Sequence, residues 1–558
     1  MKILLRNITF AALSLFALES CSDYLEEENK SDALPEEYYT TANGYETLVN
    51  SAYSSLREVY DMPWIFLAGT DLFVDGRSLQ PEGISEYRNL ASNDANVTDF
   101  FTASYRGIQR ANTAIYYYDK TEKTTTLDNR LGEVRFLRAY YYFLLVQNFG
   151  GVSIVSDRIE EPISEFKRNS AEEVYAYIIS EMEASLGLVP ESASQFGRVS
   201  KRAVRHFLAK VYLTRGYETF GSKDDFTKAA SLADQAIAGQ ALSISFEDLF
   251  WPGKEKNAEV LFSIQYSKAS MKDPLTDGTN QNYWFGPYMG GEGAKNGYPY
   301  RSYNLLPTQH VYELFTPADS RWEGTFMNVF YSRYYDFYDK SKSDRPTLNI
   351  SYYFPQRWEV ADTAAWRAAD ASHRKKTKII PYDSTKWVGI SGVGTDNSTP
   401  AVRKFDDPTS SFSLNGSSSR DVYLARLADT YLLAAEAYFK LSDPATAADR
   451  INEVRRRAAK PGMTADMVIT AANVNIHFIL DERARELLGE YDRWQDLKRT
   501  GTLVERTEWY NRDIRNKYFK NGINPFAGVN GGLKVLRPIP QKALDFNQDD
   551  TYEQNPGY

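Results

Sequence analysis

The stretch that most constrains this chain is 423–461, YLARLADTYLLAAEAYFKLSDPATAADRINEVRRRAAKP, which reads as two amphipathic helices folded back on each other. Leu424, Leu427, Tyr431, Ala435 and Tyr438 recur at three- and four-residue spacing and so share one helix face. Asp443 supplies an N-cap and Pro444 a first-turn proline, so a second helix starts after a short turn. Its apolar stripe is Ala447, Ile451, Val454 and Ala458, and it stops at Pro461-Gly462. Ala434, Ala435, Ala447 and Ala448 flank the turn, where only small side chains let two antiparallel helices approach closely.

With Tyr438 before the turn and Ala447 and Ile451 after it, this segment resembles a tetratricopeptide helical hairpin. The plain alternative is an αα-hairpin in some other helical protein. The chain is long enough, at 558 residues, for a large core, and 42% hydrophobic with 25% charged residues is a globular composition. Its aromatic share of 14%, mostly 40 Tyr and 30 Phe, suits both cores and sugar-binding surfaces, because tyrosine joins a flat apolar face to a hydroxyl. A net charge of -9 argues against nucleic acid as a partner.

One cysteine excludes an internal disulfide and any multi-cysteine zinc site. It is Cys21, and its surroundings explain it: Lys2 and Arg6 form a positive n-region, 8–18 is largely apolar, and Ser20 is a small residue just before it. The apolar run is short for a bilayer, so a signal peptide is expected rather than a spanning helix. The pattern resembles a bacterial lipoprotein signal cleaved before Cys21, whose thiol would carry lipid. Glu19 departs from the usual small or neutral residue there. The following SDYLEEEN is acidic and resembles a surface-export signal, with a solvated tether as the alternative.

Further along, a first helix is expected from about Thr41 or Asn43, with Tyr45, Leu48, Val49 and Ala52 on one side, and a second over 99–118. Between them 62–93 lacks helix signals and is expected to be a structured surface loop. Asp128 is a candidate cap for a helix with the stripe Leu131, Val134, Leu137, Tyr141 and Leu145, ended by Gly150-Gly151. Ser170 and Glu173 form a capping box. Helices are also expected at 200–217 and 225–238. From 239 to 420 helical periodicity fades and Gly, Pro, Asn, Ser and aromatics accumulate, which reads as long ordered loops with short strands such as 260–265. After the hairpin, 476–503 gives another helix, and the chain ends in an extended tail.

Several of these stretches, taken in order, are similar to the SusD/RagB family of Bacteroidetes outer-membrane lipoproteins. They are RFLRAYYYFLLVQNFGGVSIV, GRVSKRAVRHFLAKVYL, the hairpin, LDERARELLGEYDRWQDLKRTG, and the closing LRPIPQ, DFNQ and QNPGY. One departure is YDRW at 491–494, where many relatives have glycine-arginine before the aromatic; only local packing is expected to change. The resemblance implies a mostly α fold, with four tetratricopeptide-like units forming a right-handed superhelical scaffold and an irregular loop-rich region packed against it. It divides the chain into a signal peptide (1–20), an acidic tether (21–33), an N-terminal helical region (34–238), a loop-rich region (239–420) and a C-terminal helical region with tail (421–558). It also implies a lipid-anchored cell-surface protein that captures oligosaccharide and delivers it to a SusC-like TonB-dependent transporter. Members that bind peptides make a non-glycan nutrient the alternative ligand.

The histidines His206, His310, His373 and His477 show no metal-ligand spacing, no GxSxG elbow or P-loop is present, and MGGEGAKNG lacks the strand and helix a phosphate cradle needs. No cofactor is expected. Glu482 and Glu486 could be imagined as a glycosidase pair, but they sit one turn apart on one helix among arginines, so a structural ion-pair network is expected instead. Asp71 and Asp75 lack the ligand density of a calcium loop. Sugar binding needs aromatic faces and a few polar groups. Trp64 with Asp71, and Tyr283, Trp284 and Tyr288 with Asn280 and Asn282, meet that description; Trp322, Tyr334, Tyr335 and Trp358 are second choices.

Overall fold

A computed structural model describes residues 35–273, 277–286, 301–359, 363–383, 399–410 and 417–558. The signal segment, Cys21 and the acidic stretch behind it fall outside the described residues, as does Tyr288. Among the described residues no helix is long and apolar enough to cross a membrane.

The long helices are α1 (Ala42–Val59), α2 (Ala95–Tyr118), α3 (Leu127–Phe149), α4 (Ala171–Leu188), α5 (Lys201–Arg215), α6 (Lys223–Ile237), α7 (Leu427–Lys440), α8 (Pro444–Ala458), α9 (Ile476–Leu487), α10 (Arg493–Arg499) and α11 (Leu503–Tyr510). They pack in sequence-adjacent pairs, α1 with α2, α3 with α4, α5 with α6 and α7 with α8. Successive pairs touch through α2 and α3, α4 and α5, and α6 and α7, which makes a tetratricopeptide-like stack. Between α6 and α7 lie nearly two hundred residues, yet Ala209 of α5, Ala233 of α6 and Ala434 of α7 meet with no solvent exposure. Small side chains permit that approach, as in the hairpin itself.

Local signals set the helix starts. Thr41 caps α1 by accepting from the Gly44 amide, Ser170 and Glu173 form the capping box of α4, and the Asp443 carboxylate accepts from the Thr446 amide at 3.0 Å. Asp128 is not a cap: α3 starts after Thr126, and the Asp128 side chain accepts from the Tyr118 hydroxyl at 2.6 Å. From Leu131 to Phe149 nearly every side chain of α3 is buried, so a single apolar stripe understates it. A helix buried on all sides lies in the middle of a large core. Its tyrosines keep their hydroxyls satisfied, Tyr141 donating to the Ala52 carbonyl at 2.7 Å and Tyr142 to that of Val155 at 3.1 Å. Gly107 of α2 lies against the Tyr141 ring, where a Cβ would come within 2.6 Å.

Among the described residues nine short strands stitch the loops to this scaffold: β1 (Phe73–Asp75), β2 (Val260–Ile264), β3 (Leu305–Pro307), β4 (Phe326–Met327), β5 (Val329–Tyr331), β6 (Ile350–Tyr353), β7 (Lys378–Ile379), β8 (Ala401–Val402) and β9 (Val422–Arg426). β1 pairs with β3, β2 with β9, β4 with β8, all antiparallel, while β5, β6 and β7 form a three-stranded sheet. Leu424 therefore lies in a strand, not on the first face of the hairpin helix. The long-range β2 partner outweighs a helical spacing that continues by coincidence across Arg426.

Residues 62–93 are also not a surface loop. Trp64, Ile65, Phe66 and Leu67 form one helical turn that is at most 4% exposed, followed by β1. The tail is held as well: the Arg537 amide donates to Asn148 at 2.7 Å, and the Asn555 side-chain amide donates to the carbonyls of Phe149 and Arg537. It thereby satisfies carbonyls at the C-terminal end of α3 that would otherwise lack partners.

Beneath the hairpin lies a buried lattice of charges. Arg426 donates to Glu259 at 2.7 Å, Glu486 at 2.9 Å and Glu490 at 2.7 Å, and Arg457 to Glu259 at 3.0 Å and to Glu486. Arg321 reaches Asp319, Glu482 and Glu486 at 2.7–3.1 Å, and Lys404 reaches Glu490 at 2.6 Å. The expected network at Glu482 and Glu486 is thus present and larger than the helix alone provides. Both carboxylates are fully buried, which leaves no room for a sugar between them.

Candidate ligand site

The end of α1 and the middle of α2 build two walls of a polar pocket of about 410 Å³. Arg57, Glu58 and Asp61 face Asp99, Thr102 and Arg106, and Tyr266 with Asp277 and Gly278 closes the third side. Arg57 is fixed by donating through Nε to the Gln265 carbonyl at 3.1 Å and through Nη2 to Ser270 Oγ at 3.4 Å. Its guanidinium lies over the Tyr266 ring, 4.5 Å from the centroid. Tyr266 is held from behind by its amide, which donates to Asp421 at 2.9 Å. Glu58 is paired with Arg106 and with Arg110 at 2.9 Å. Burial pushes the Asp61 carboxyl up from its ordinary value. At Gly278 a Cβ would meet the Ser418 carbonyl at 2.3 Å, so the chain passes there only without a side chain.

The aromatic residues singled out in the sequence lie a little further along two of these segments, since Asp61 precedes Trp64 by three residues and Gly278 precedes Tyr283 by five. Trp64 and Trp284, far apart in sequence, meet at 5.2 Å between ring centroids, and Tyr283 sits edge-on to Trp284 at 4.9 Å. Trp64 is 4% exposed and donates to the Met62 sulfur at 3.2 Å, so it backs the cluster. Tyr283 and Trp284 are half-buried and form its outer surface. The Trp284 indole nitrogen is shielded from solvent and finds no acceptor among the described residues. Asn282 is fully buried, and its amide donates to Ser410 Oγ at 2.9 Å; it supports the turn rather than facing outward.

Asp71 is a correction. It has no solvent exposure, and its oxygens accept from Arg493 at 2.8 and 2.6 Å and from Arg506 at 2.7 Å. Burial alone would raise its carboxyl, but these two guanidinium groups outweigh that and hold it well below the usual range. It is a core ion pair and cannot reach a sugar hydroxyl. Trp322, Tyr334 and Tyr335 are core residues with no exposure, and Trp358 packs 5.7 Å from Trp322. Tyr491, in the departure from the family pattern, takes φ 54, a conformation glycine adopts without strain. Its ring packs edge-on to Tyr60 and Phe66 at 5.3 and 5.4 Å, so it lies under the helical turn that carries Trp64.

Reading the sequence missed Arg57, Asp61, Tyr266 and Asp277. The available signal was the aromatic that follows the β2 strand and the polar end of α1, but neither stands out until the two segments meet. Among the described residues no group of three His, Cys, Asp or Glu could hold a metal ion. The pocket offers a cation, several carboxylates and the Tyr266 ring, and the cluster offers half-buried aromatic faces, groups suited to binding a hydroxyl-rich ligand.

Two family models match the chain. Residues 258–558 match one described as "SusD family", and residues 23–213 match one described as "Starch-binding associating with outer membrane". SusD-like protein P2 of Formosa agariphila is 26% identical over 99% of this chain and 99% of its own length. Starch-binding protein SusD of Bacteroides thetaiotaomicron is 25% identical over 79% of this chain and 76% of its own. Among solved structures, surface glycan-binding protein A of Bacteroides thetaiotaomicron in complex with laminarihexaose superposes with a TM-score of 0.64 at 20% identity, covering 93% of this chain and 100% of that one. At that identity the likeness concerns the fold.

Proposed function

The chain belongs to the SusD family, and from that membership we propose that it is a non-catalytic, lipid-anchored protein of the outer cell surface that captures oligosaccharide and hands it to a SusC-like TonB-dependent transporter. The observation that carries the glycan reading is the convergence of Trp64, Trp284 and Tyr283 in one aromatic cluster, on the same two segments that carry Asp61 and Gly278 of the polar pocket. A pyranose presents a C–H face that packs on an aromatic ring and a rim of hydroxyls that need donors and acceptors. Trp284 and Tyr283 supply the first, Arg57, Asp61 and Asp277 the second. In the core, by contrast, Arg321, Arg426 and Arg457 are each paired with two or more carboxylates. The relatives named starch-binding or solved with laminarihexaose support a glycan as the ligand class. The lipid anchor rests on Cys21 and the signal pattern before it.

Calorimetry and affinity electrophoresis against plant, host and microbial polysaccharides test this reading. Binding without release of reducing sugar is the expected result. Binding of peptides alone would replace the glycan by another nutrient, and sugar release would make the protein an enzyme.

A further inference from the structure

We propose that the sheet formed by β5, β6 and β7 carries a second, cationic cleft that binds an acidic glycan, one bearing carboxylate or sulfate groups. This deepens the glycan reading above and rests on it. The cleft encloses about 860 Å³ and shares no lining residue with the pocket at α1 and α2. Lys375, Lys376 and Lys378 line it, together with Ser351, Ser372 and Tyr352.

Three observations point to an anion. First, the lysines are exposed, and no carboxylate of the described residues lies within 4 Å of any of them, whereas Arg321 and Arg426 in the core are each matched several times over. In a chain of net charge -9, three unpaired ammonium groups in one concavity form a local positive field that a solute of opposite charge would fill. Second, the backbone that carries them is fixed. Arg367 donates to the carbonyls of Arg374 and Lys375 at 3.1 Å and of Thr377 at 2.5 Å, while the Thr377 hydroxyl donates to the Ile350 carbonyl at 2.8 Å. Arg374 lies over the Trp366 ring at 4.4 Å, and Trp366 stacks on Tyr353 of β6 at 4.3 Å. The lysines thus project from a braced turn, which lowers the ordering cost of binding. Third, β7 runs parallel to β6 with Lys378 opposite Tyr352, so one charge stands beside a half-buried ring. Ammonium groups for carboxylate or sulfate, serine hydroxyls for sugar hydroxyls and a tyrosine ring for a pyranose face form one consistent set. Nucleic acid fits less well, since its extended phosphate track needs a long cationic stripe and the chain carries a net charge of -9.

The test is calorimetry on the mature protein with oligogalacturonides and with sulfated galactan oligosaccharides, each beside its neutral methyl-esterified or desulfated counterpart. The proteins compared are the parent, the combined Lys375→Gln, Lys376→Gln, Lys378→Gln variant, and Trp284→Ala. At least one acidic series is expected to bind about tenfold more tightly than its neutral counterpart at low salt, an advantage that added salt removes. The triple variant is expected to lose that advantage while keeping whatever binding depends on Trp284. Equal affinity for acidic and neutral forms, an acidic preference that survives in the triple variant, or equally tight binding of a DNA duplex would each overturn the cleft. Loss of neutral-glycan binding in no variant, with the acidic preference still removed by the lysine changes, would overturn the Trp284 site and leave the cleft standing.

Discussion

Asp61 and Asp71 are ten residues apart, chemically identical, and used in opposite ways. Asp71 is sealed in the core between Arg493 and Arg506, which hold it ionised. Asp61 lines an open pocket in which burial, not a cation, dominates its environment and pushes its carboxyl up. The same contrast holds for whole regions. Under the hairpin Arg321, Arg426 and Arg457 each meet two or more carboxylates, so removing one group leaves the others uncompensated. In the loops, charges and rings stand half-matched at the edge of solvent, where an outside molecule can complete them. Charge density alone therefore does not separate a core ion pair from a pocket carboxylate.

The sharpest way to break this contrast is to remove the hub of the core lattice. Arg426→Met leaves Glu259, Glu486 and Glu490 buried with fewer cations, and breaking such a pair costs about 3–5 kcal/mol. Urea unfolding is expected to show a loss of that size. Glycan affinity, measured under conditions where the variant is folded, is expected to stay at the parent value; a parallel fall in affinity would mean that the lattice also shapes the site.

A pH series separates the two regions further. Burial pushes the Glu482 carboxyl up, but Arg321, Arg455 and Arg485 outweigh it and hold it at about 2, against 4.5 for an ordinary glutamate. A depressed folded-state value contributes stability that is complete above about 4.5 and lost as pH falls through about 2. Buried His206 is driven down to about 3, so it stays neutral in the folded state while the unfolded chain gains a proton below about 6.5. Both effects have the same sign. Stability measured by urea midpoint is expected to fall steadily from pH about 6.5 downward, and a midpoint flat to pH about 3 would contradict both placements.

Trp284→Ala is expected to do the reverse of Arg426→Met, lowering affinity for a confirmed glycan about tenfold with little change in unfolding midpoint. Asp61→Asn is expected to act in the same direction and more weakly. If both variants bind as the parent does, the aromatic cluster and pocket are not where ligand sits.

Much of the scaffold was legible because its signals are local. The capping residues Thr41, Ser170 and Asp443 and the alanines of the hairpin act within a few residues of themselves. The site was legible only in part. Trp64 and Trp284 could be named as aromatics in loop contexts, but Asp71 could not be told from a ligand group, because the arginines that claim it lie 422 and 435 residues further along the chain. Arg57 and Tyr266 were missed for the same reason, since the carbonyl that fixes Arg57 is 208 residues away. Leu424 shows the converse, a periodicity that looked local until a strand from the loop region paired with it.

The smallest expected effect concerns the hairpin itself. The Asp443 carboxylate caps α8 through the Thr446 amide and also accepts from the Thr446 hydroxyl at 2.7 Å, while Pro444 already fixes the first turn. Asp443→Ala removes the cap and leaves the buried face of Ala447, Ile451 and Val454 intact, so a loss of about 1 kcal/mol is expected, as for other helix caps. These hydrogen bonds hold the Asp443 carboxyl below its ordinary value, although the group lies at the surface. The stability they contribute is complete above the ordinary aspartate value and is lost as pH falls through the folded one. The parent and the alanine variant should therefore converge in acid. A difference between them that persists in acid would show that Asp443 acts through packing, and that even the most legible turn in the chain is held by something its sequence does not display.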